Sequence, residues 1–269
     1  MFRHALTRRL LAAVTASLFA LPALAAPCGN TGAGFNAWKA DFAATAKKSG
    51  VKKRGLDALA QAQYATRTIA ADRGQKSFKY TLEKFMQIRG AEAIVSQGRK
   101  RLRSNPAFYQ ALEAQYGVPP GILLTLHGME TGFGNFMGDS QIVSAIVTLA
   151  YDCRRSDFFI PHAIGALLLV DQGSITTATL GAKHGELGHT QFLPGNALTY
   201  GVDGTGDGRV DFYNLTDAMA STANFLRAKG WQKGKGYQPG QPNFAVIQAW
   251  NGASVYQQAI AIMAARIDG

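Results

Sequence analysis

The feature that most constrains the fold is an almost uninterrupted apolar run from Ile122 to Met129. Pro119 and Pro120 precede it by one glycine, Gly121, and proline is well suited to the first turn of a helix. The segment from Gln141 to Tyr151 has the same apolar character. These two segments predict apolar helices, and they favour a mostly α-helical fold.

Helical spacing and helix-ending residues recur through the rest of the chain. Strand patterns are rare, and the two short candidates are Val210–Tyr213 and Phe244–Ile247. The stretch from 171 to 215 is rich in Gly, Thr, Asn and Asp, which predicts a loop-rich functional region. Further helices are predicted from Phe35 to Gly50, from Phe78 to Met86, from Asn105 to Gly117, from Thr216 to Lys229 and from Ala253 to Ile267.

The N-terminal segment has the pattern of a secretory signal peptide. Three arginines, at positions 3, 8 and 9, precede the apolar stretch Leu10–Leu24, which is only about fifteen residues long and short for a membrane span. Ala23-Leu24-Ala25 fits the small-x-small rule, so we predict cleavage after Ala25 and a mature chain of residues 26–269. The alternative is an uncleaved anchor. Pro27 stands directly before Cys28, which argues against a lipoprotein.

Export places the chain in a compartment where cysteines form disulfides. The sequence contains two cysteines, Cys28 and Cys153, and both remain after cleavage. We therefore predict a Cys28–Cys153 disulfide, with two free buried thiols as the alternative. Two cysteines also exclude a disulfide-dense scaffold and a multi-cysteine zinc domain.

The net charge favours an anionic partner. The chain carries 28 Lys and Arg against 17 Asp and Glu, a formal charge of +11, and removal of the signal segment leaves +8. The basic cluster between Lys47 and Arg54 lacks interleaved aromatic residues, so it indicates a solvated helix face and not a nucleic-acid site. Outside the signal segment, the sequence has no apolar stretch long enough to span a membrane, so we predict no stable membrane anchor.

Glu130 is the strongest candidate for a catalytic residue. It ends the apolar run and precedes Gly132 and Gly134, so its carboxyl should be partly desolvated and its pKa raised. A carboxylic acid that is protonated near neutral pH is the group that cleaves glycosidic bonds. The alternative is a glutamate that caps the following loop. His127, one turn earlier, either orients Glu130 or is a packed histidine.

Other catalytic motifs are absent from the sequence. There is no HExxH zinc motif and no GxSxG nucleophile motif. Asp139 is a possible second carboxylate, with a loop or capping role as the alternative.

The segment from 203 to 214 is similar to a calcium-binding loop. Oxygen-bearing residues occupy positions 1, 3, 5, 9 and 12, glycine occupies position 6, and Asn replaces the usual bidentate Glu at position 12. The segment predicts a weak structural Ca²⁺ or Na⁺ site, and the alternative is an Asp/Gly turn without a metal. The candidate ligands, with a backbone carbonyl at position 7, are Asp203, Thr205, Asp207, Arg209, Asp211 and Asn214.

Several motifs together resemble the B-type lytic murein transglycosylases, in their soluble, secreted branch. They are Gly117-Val-Pro-Pro120, Gly128-Met-Glu130-Thr, Gly185-Glu-Leu-Gly188-His-Thr-Gln191-Phe-Leu-Pro194, Ser221-Thr-Ala-Asn224 and Trp250-Asn251. The likeness covers about residues 28 to 267.

The resemblance implies a lysozyme-like helical fold with a glycan groove and a periplasmic location. The core would span about residues 105–235, with helical N-terminal and C-terminal parts packed on it. Glu130 would act first as acid and then as base, so that the muramoyl 6-hydroxyl closes a 1,6-anhydro ring. Gln191, Asn251 and Tyr256 match substrate-binding positions, the partner would be peptidoglycan, and the chemistry needs no cofactor.

The chain departs from the family pattern at three places. Pro194-Gly-Asn-Ala197 replaces a more usual Pro-Ser-Ser-Tyr, His189 stands where Gln or Tyr is common, and Pro161 falls within a family helix that it should kink. Two other functions stay open: a non-catalytic glycan-binding protein, and a lysozyme-type hydrolase with Asp139 or Glu186 as the second carboxylate.

Overall fold

Two apolar helices form the centre of the protein, which was analysed as a computed structural model that describes residues 27–74 and 80–269. In α7 (Pro120–Thr131), the side chains of Ile122, Leu123 and Leu124 are completely buried. In α8 (Ile142–Tyr151), every residue is buried. A helix that is apolar on all sides is stable in water only when other elements surround it, and the remaining helices do this.

The described part of the chain is mostly helical, with one short antiparallel pair of strands in which Ser140 is opposite Gly181. The strands are β1 (Ser140–Gln141) and β2 (Leu180–Gly181). The other helices are α1 (Phe35–Lys48), α2 (Lys53–Gln61), α3 (Thr66–Arg73), α4 (Leu82–Arg89), α5 (Ala91–Ser104), α6 (Pro106–Tyr116), α9 (Ser156–Gln172), α10 (Pro194–Tyr200), α11 (Leu215–Ala228), α12 (Phe244–Trp250) and α13 (Ser254–Asp268). Within the described residues, no helix is both long enough and apolar enough to cross a membrane.

The helices pack in two groups around the centre. The C-terminal helix α13 lies along α7 and also contacts α4 and α5, whereas α9 packs between α8, α10 and α2. Val246 and Ile247 of α12 are buried, and α12 contacts both α11 and α13. The last helices of the chain therefore reach the end of α7, where Glu130 lies.

Most predicted helices are confirmed, including the start of α6 at Pro106 and its end at Gly117, which has a φ of 76°. Two details differ. The cap of α11 is Asn214, whose side chain accepts a hydrogen bond from the backbone N–H of Thr216. The backbone of α9 stays helical through Pro161, which lies near its start and is exposed.

Both predicted strands are wrong. Phe244–Ile247 is the first part of α12, because its apolar side chains continue at helical spacing to Trp250. In Val210–Tyr213, the backbone N–H of Asp211 donates to the Asp217 carboxylate and that of Tyr213 donates to the Asp211 side chain. These side-chain acceptors replace the partner strand that a ladder would need.

The predicted Cys28–Cys153 disulfide is present, with the two Cα atoms 4.9 Å apart. Next to it, the backbone of Gly29 donates to the Tyr151 carbonyl and accepts from the Cys153 N–H. The disulfide thus holds the start of the described chain against the end of α8. The predicted signal peptide and the Phe78 position lie outside the described residues.

Candidate active site

Glu130 lies in the last turn of α7 and lines a cleft of about 490 Å³. Helix α7 ends at Gly132, whose φ of 58° is the left-handed cap conformation. The cleft draws on elements from α3 to the segment after α12, and its lining includes Arg89, Phe136, Asp139, Lys183, His184, Glu186, Gln191, Asn196, Trp250 and Asn251. The apolar helix therefore delivers a single carboxyl to the wall of a cleft, as the sequence predicts.

Two donors hold the Glu130 carboxyl by the same oxygen. Trp250 Nε1 donates to Glu130 Oε1 at 2.9 Å, and the Tyr256 hydroxyl also donates to Oε1. Because both donors use Oε1, Oε2 is the oxygen left to meet a ligand. The side chain is thus fixed at the position where a proton donor would be required.

Burial raises the pKa of Glu130 above the usual range of a carboxyl. The hydrogen bonds from Tyr256 and Trp250 and the positive charge of Arg89 oppose that rise, but they do not cancel it. Burial and the neighbouring Glu130 also raise the pKa of the Tyr256 hydroxyl well above 10, so Tyr256 stays protonated and acts as a donor. The arrangement favours a carboxyl that can both give up and take back a proton.

The end of α7 and the turn after β2 are joined by contacts of Thr131 and His127 with His189. Thr131 Oγ1 donates to the carbonyl of His189 at 2.7 Å, and the rings of His127 and His189 are 3.0 Å apart at their nearest nitrogens. Burial lowers the pKa of His127 to about 3, so its ring is neutral. His127 is therefore a packed histidine that helps to fix the end of α7.

The loop after α7 approaches β2 at Gly138, which lines the cleft. Gly138 has a φ of 104°, and a Cβ atom built there would lie 1.9 Å from the Gly181 carbonyl oxygen. Only glycine permits this contact. The close approach sets the position of Phe136, whose ring is 66% exposed at the cleft.

Two of the three predicted substrate-binding residues line the cleft. Gln191 has a φ of 54°, and its side-chain Nε2 donates to the Gly188 carbonyl at 2.8 Å. Asn251 Oδ1 accepts from the backbone of Ala253 at 3.0 Å, which fixes the turn into α13. The Gln191 amide oxygen and the Asn251 amide nitrogen are the remaining polar groups of these side chains.

Tyr256 occupies a different place from Gln191 and Asn251. Its side chain is 4% exposed, it does not belong to the lining of the cleft, and its hydroxyl contacts Glu130. We therefore assign Tyr256 to the support of Glu130. The Tyr256 ring also packs against the Phe85 ring, and the centres of these two rings are 5.9 Å apart.

The two candidates for a second carboxylate differ in their surroundings. Asp139 is exposed, and Arg67 forms a 2.6 Å ion pair with it. That contact lowers the pKa of Asp139. Glu186 also lines the cleft, and burial together with the charge of Glu130 raises its pKa to about 7. Only Glu186 thus combines a place in the cleft with electrostatic coupling to Glu130.

Asp72 anchors the turn that carries Glu186. The Asp72 side chain is buried and is paired with both Arg154 and Arg155. Despite the burial, these two guanidinium groups hold the pKa of Asp72 below its usual value. His184 Nε2 lies 3.8 Å from Asp72, which connects the arginines after α8 to the wall of the cleft.

The side chains of the segment from 203 to 214 do not fit a cation site in this arrangement. The Asp203 carboxylate accepts hydrogen bonds from the Thr205 hydroxyl and from the backbone at positions 206, 207 and 208. Asn214 caps α11 with its side-chain oxygen. In residues 27–74 and 80–269, no three His, Cys, Asp or Glu side chains are grouped as a metal ion would require. The contacts agree with the alternative, an Asp/Gly turn.

Sequence reasoning missed three parts of the site. Trp250 was noticed only within a motif, Arg89 gave no signal, and Phe136 follows the catalytic motif without a recognisable pattern. For Arg89 and Trp250 the reason is distance in the chain, because they come from helices α4 and α12, which only the tertiary fold brings to α7. An aromatic residue beside a glycine-rich catalytic loop was the one available clue.

Comparison with known proteins identifies the family. The family described as Transglycosylase SLT domain matches residues 34–241, which is more than half of the chain. The chain belongs to this family. The resemblance to the B-type lytic transglycosylases and the lysozyme-like fold are thereby confirmed.

Three relatives show the range of similarity within the SLT family. Membrane-bound lytic murein transglycosylase B of Escherichia coli (strain K12) is 36% identical over 137 residues, which is 48% of this chain and 38% of that relative. SltB3 from Pseudomonas aeruginosa, in complex with NAG-NAM-pentapeptide, has a TM-score of 0.79 at 26% identity. The alignment covers 87% of this chain and 80% of the SltB3 chain. Soluble lytic transglycosylase SltB1 from the same organism has a TM-score of 0.76 at 21% identity, and the alignment covers 85% of this chain and 97% of the SltB1 chain. The aligned region thus spans less than two thirds of the curated relative.

Proposed function

We propose that the protein is a peptidoglycan lytic transglycosylase that cleaves the β-1,4 bond between N-acetylmuramic acid and N-acetylglucosamine. The observation that carries this proposal is the carboxyl of Glu130, which is buried against Tyr256 and Trp250 and lines the cleft. Its raised pKa suits it to protonate a glycosidic oxygen. Family membership and the glycan complex of SltB3 support the same substrate class.

The mechanism uses Glu130 twice. Protonated Glu130 gives its proton to the glycosidic oxygen, the bond to the muramoyl anomeric carbon breaks, and Glu130 is left as a carboxylate. That carboxylate then accepts the proton of the muramoyl 6-hydroxyl, while the hydroxyl oxygen attacks the anomeric carbon. The attack is intramolecular, so it gains from proximity, and the product ends in 1,6-anhydromuramic acid. No cofactor takes part in either step.

The surroundings of Glu130 suit this double role. Tyr256 and Trp250 stabilise the Glu130 carboxylate after the proton has left, whereas burial favours the return of the proton. Gln191, Asn251 and the exposed ring of Phe136 line the same cleft, where they would contact the sugars. We infer that the mature protein acts in the periplasm, and that its positive charge helps it to bind the anionic cell wall.

A second candidate function is hydrolysis by a two-carboxylate route. Asp139 is a poor partner because Arg67 holds it in an exposed ion pair, but Glu186 lines the cleft and is coupled to Glu130. A hydrolase would release muramic acid with a reducing end. The products therefore distinguish the two chemistries.

The proposed function is tested with the variant Glu130→Gln on purified sacculi. Glutamine keeps the shape of the side chain and cannot protonate the glycosidic oxygen, so we expect wild-type stability and no release of soluble muropeptides. The matched control is Asp57→Asn, which removes an exposed, ion-paired carboxylate outside the cleft and should retain activity. Wild-type turnover by Glu130→Gln would place the catalytic acid elsewhere, and inactivity of the wild type itself would favour a glycan-binding protein.

A further inference from the structure

Glu186 is presented to the cleft by a rigid turn. Its backbone carbonyl accepts a hydrogen bond from the Ala182 N–H at 2.9 Å. Leu187 and Phe192 exchange two backbone hydrogen bonds of 2.9 and 3.0 Å, which close the turn on the other side. The intervening Gly188 packs against the backbone of Phe212 so closely that a Cβ atom there would lie 2.2 Å from its carbonyl oxygen. The backbone on both sides of Glu186 is therefore fixed.

The two carboxyl oxygens of Glu186 have different environments. Oε2 is buried and has no hydrogen-bond partner among the described residues, although the side chain as a whole is 24% exposed at the cleft. A charged oxygen that is buried without a donor is costly, whereas the carbonyl oxygen of a neutral acid loses much less. The geometry therefore favours a neutral acid with its carbonyl at Oε2. The hydroxyl is then at Oε1, the oxygen left to meet a ligand.

The charged groups near Glu186 come from several elements. Burial and the charge of Glu130 raise its pKa to about 7, whereas backbone hydrogen bonds from Glu186 and His184 and the charge of Arg155 oppose that rise. His184 Nδ1 is 3.7 Å from Oε1, and burial lowers the pKa of His184, so this ring is neutral near pH 7. Further charged groups on this side of the protein are Lys183, Arg89 and the Arg67–Asp139 pair at the cleft, and Asp72 with Arg154 behind His184.

We propose that Glu186 binds the glycan as a neutral carboxylic acid, with its Oε1 hydroxyl donating a hydrogen bond to the carbonyl oxygen of an acetamido group. The proposal rests on the proposed function only in that a glycan occupies this cleft. Every N-acetylated sugar carries such an acceptor, and the amides of Gln191 and Asn251 lie in the same cleft. Ionisation of Glu186 removes the donor, so affinity is high at low pH and falls as the pH rises through the pKa of the bound state.

The test uses triacetylchitotriose, a neutral oligosaccharide with three acetamido groups, and measures its Kd by calorimetry between about pH 5.5 and about pH 8.5. One hydrogen bond corresponds to a change in Kd of about five- to tenfold, so we expect the wild-type Kd to rise by that factor. Glu186→Gln keeps an N–H donor and cannot ionise, so its Kd should be nearly independent of pH. Glu186→Ala should bind weakly at every pH.

Two controls separate Glu186 from other carboxyls. Glu130→Gln removes the second group with a raised pKa, and we expect the pH dependence of binding to remain, with its midpoint at a lower pH. Asp57→Asn removes an exposed, ion-paired carboxylate outside the cleft and should behave as the wild type. A purely structural role of Glu186 would change the melting temperature without this pattern.

Three results would overturn the proposal: a wild-type Kd that does not vary with pH, a pH dependence that persists in Glu186→Gln, or no binding of the trisaccharide by the wild type. A Glu186→Gln variant that binds normally but releases no muropeptides would make Glu186 a catalytic base and would also contradict the proposal. Failure of the proposed function is separate, because it appears as inactivity of the wild type on sacculi.

Discussion

The replacement of Tyr256 by phenylalanine tests how the protein tunes its catalytic acid. The Tyr256 hydroxyl is buried, donates to Glu130 Oε1, and contributes to lowering the pKa of Glu130. A hydrogen bond to a charged group contributes about 1.5–3 kcal/mol, and one pH unit corresponds to about 1.4 kcal/mol. Loss of this donor destabilises the Glu130 carboxylate, so the pKa of Glu130 rises in the variant.

In the proposed mechanism Glu130 must be protonated to cleave the bond, so Tyr256→Phe should stay active to a higher pH. We expect the alkaline limb of kcat/KM to move up by about one pH unit, the lower end of the range that the hydrogen bond allows, because Trp250 still donates to the same oxygen. The optimum kcat should fall by roughly tenfold, since the carboxyl is held by one donor and not two. The assay is the release of soluble muropeptides from sacculi across the pH range.

The matched control is Tyr109→Phe, which removes a buried hydroxyl from α6, at a position that does not line the cleft. Its alkaline limb should coincide with that of the wild type. An alkaline limb of Tyr256→Phe that is unchanged, or that moves to lower pH, would refute the reasoning, because it would mean that Tyr256 does not stabilise the charged form of Glu130.

Three further predictions concern the cleft and the stability of the fold. Phe136→Ala should raise KM about tenfold with little change in kcat, because the variant loses an exposed ring of the cleft. Phe136→Trp should restore KM. A lower kcat with an unchanged KM would contradict a binding role for Phe136. Asp217→Asn should lower the free energy of unfolding by about 2–3 kcal/mol, because the buried Asp217 carboxylate accepts three backbone hydrogen bonds of the 203–214 segment. A chelator, in contrast, should leave the melting temperature of the wild type unchanged. Replacement of Cys28 and Cys153 by serine should cost about 2–5 kcal/mol by urea unfolding, and an unchanged midpoint would contradict this.

The helices and the position of Glu130 at the end of α7 were predictable because their signals are local. Pro120 at the start of α7, the apolar run after it and the left-handed Gly132 at its end all lie within one short segment, and Glu130 lies within that segment too. The cap of α11 was misplaced by two residues, since Asn214 and Thr216 are both good capping types. Local chemistry could not separate them.

The partners of Glu130 were not predictable in the same way. Trp250 and Tyr256 are more than a hundred residues away in the chain, and only the packing of α12 and α13 brings their donors to Oε1. Tyr256 was matched to a substrate-binding position, but its burial behind the carboxyl could be seen only in the structure. The calcium-like pattern of the 203–214 segment was similarly ambiguous, because Asp203 serves backbone N–H groups as readily as a cation.

The central claim is that one carboxyl, Glu130, directs an intramolecular attack instead of hydrolysis. The most direct measurement is mass spectrometry of the muropeptides that the purified protein releases from sacculi. We expect ends of 1,6-anhydromuramic acid, lighter than the hydrolytic product by one water and without a reducing end, and no such product from Glu130→Gln. Release of mainly reducing-end muramic acid would contradict the account and would assign Glu186 to the activation of water.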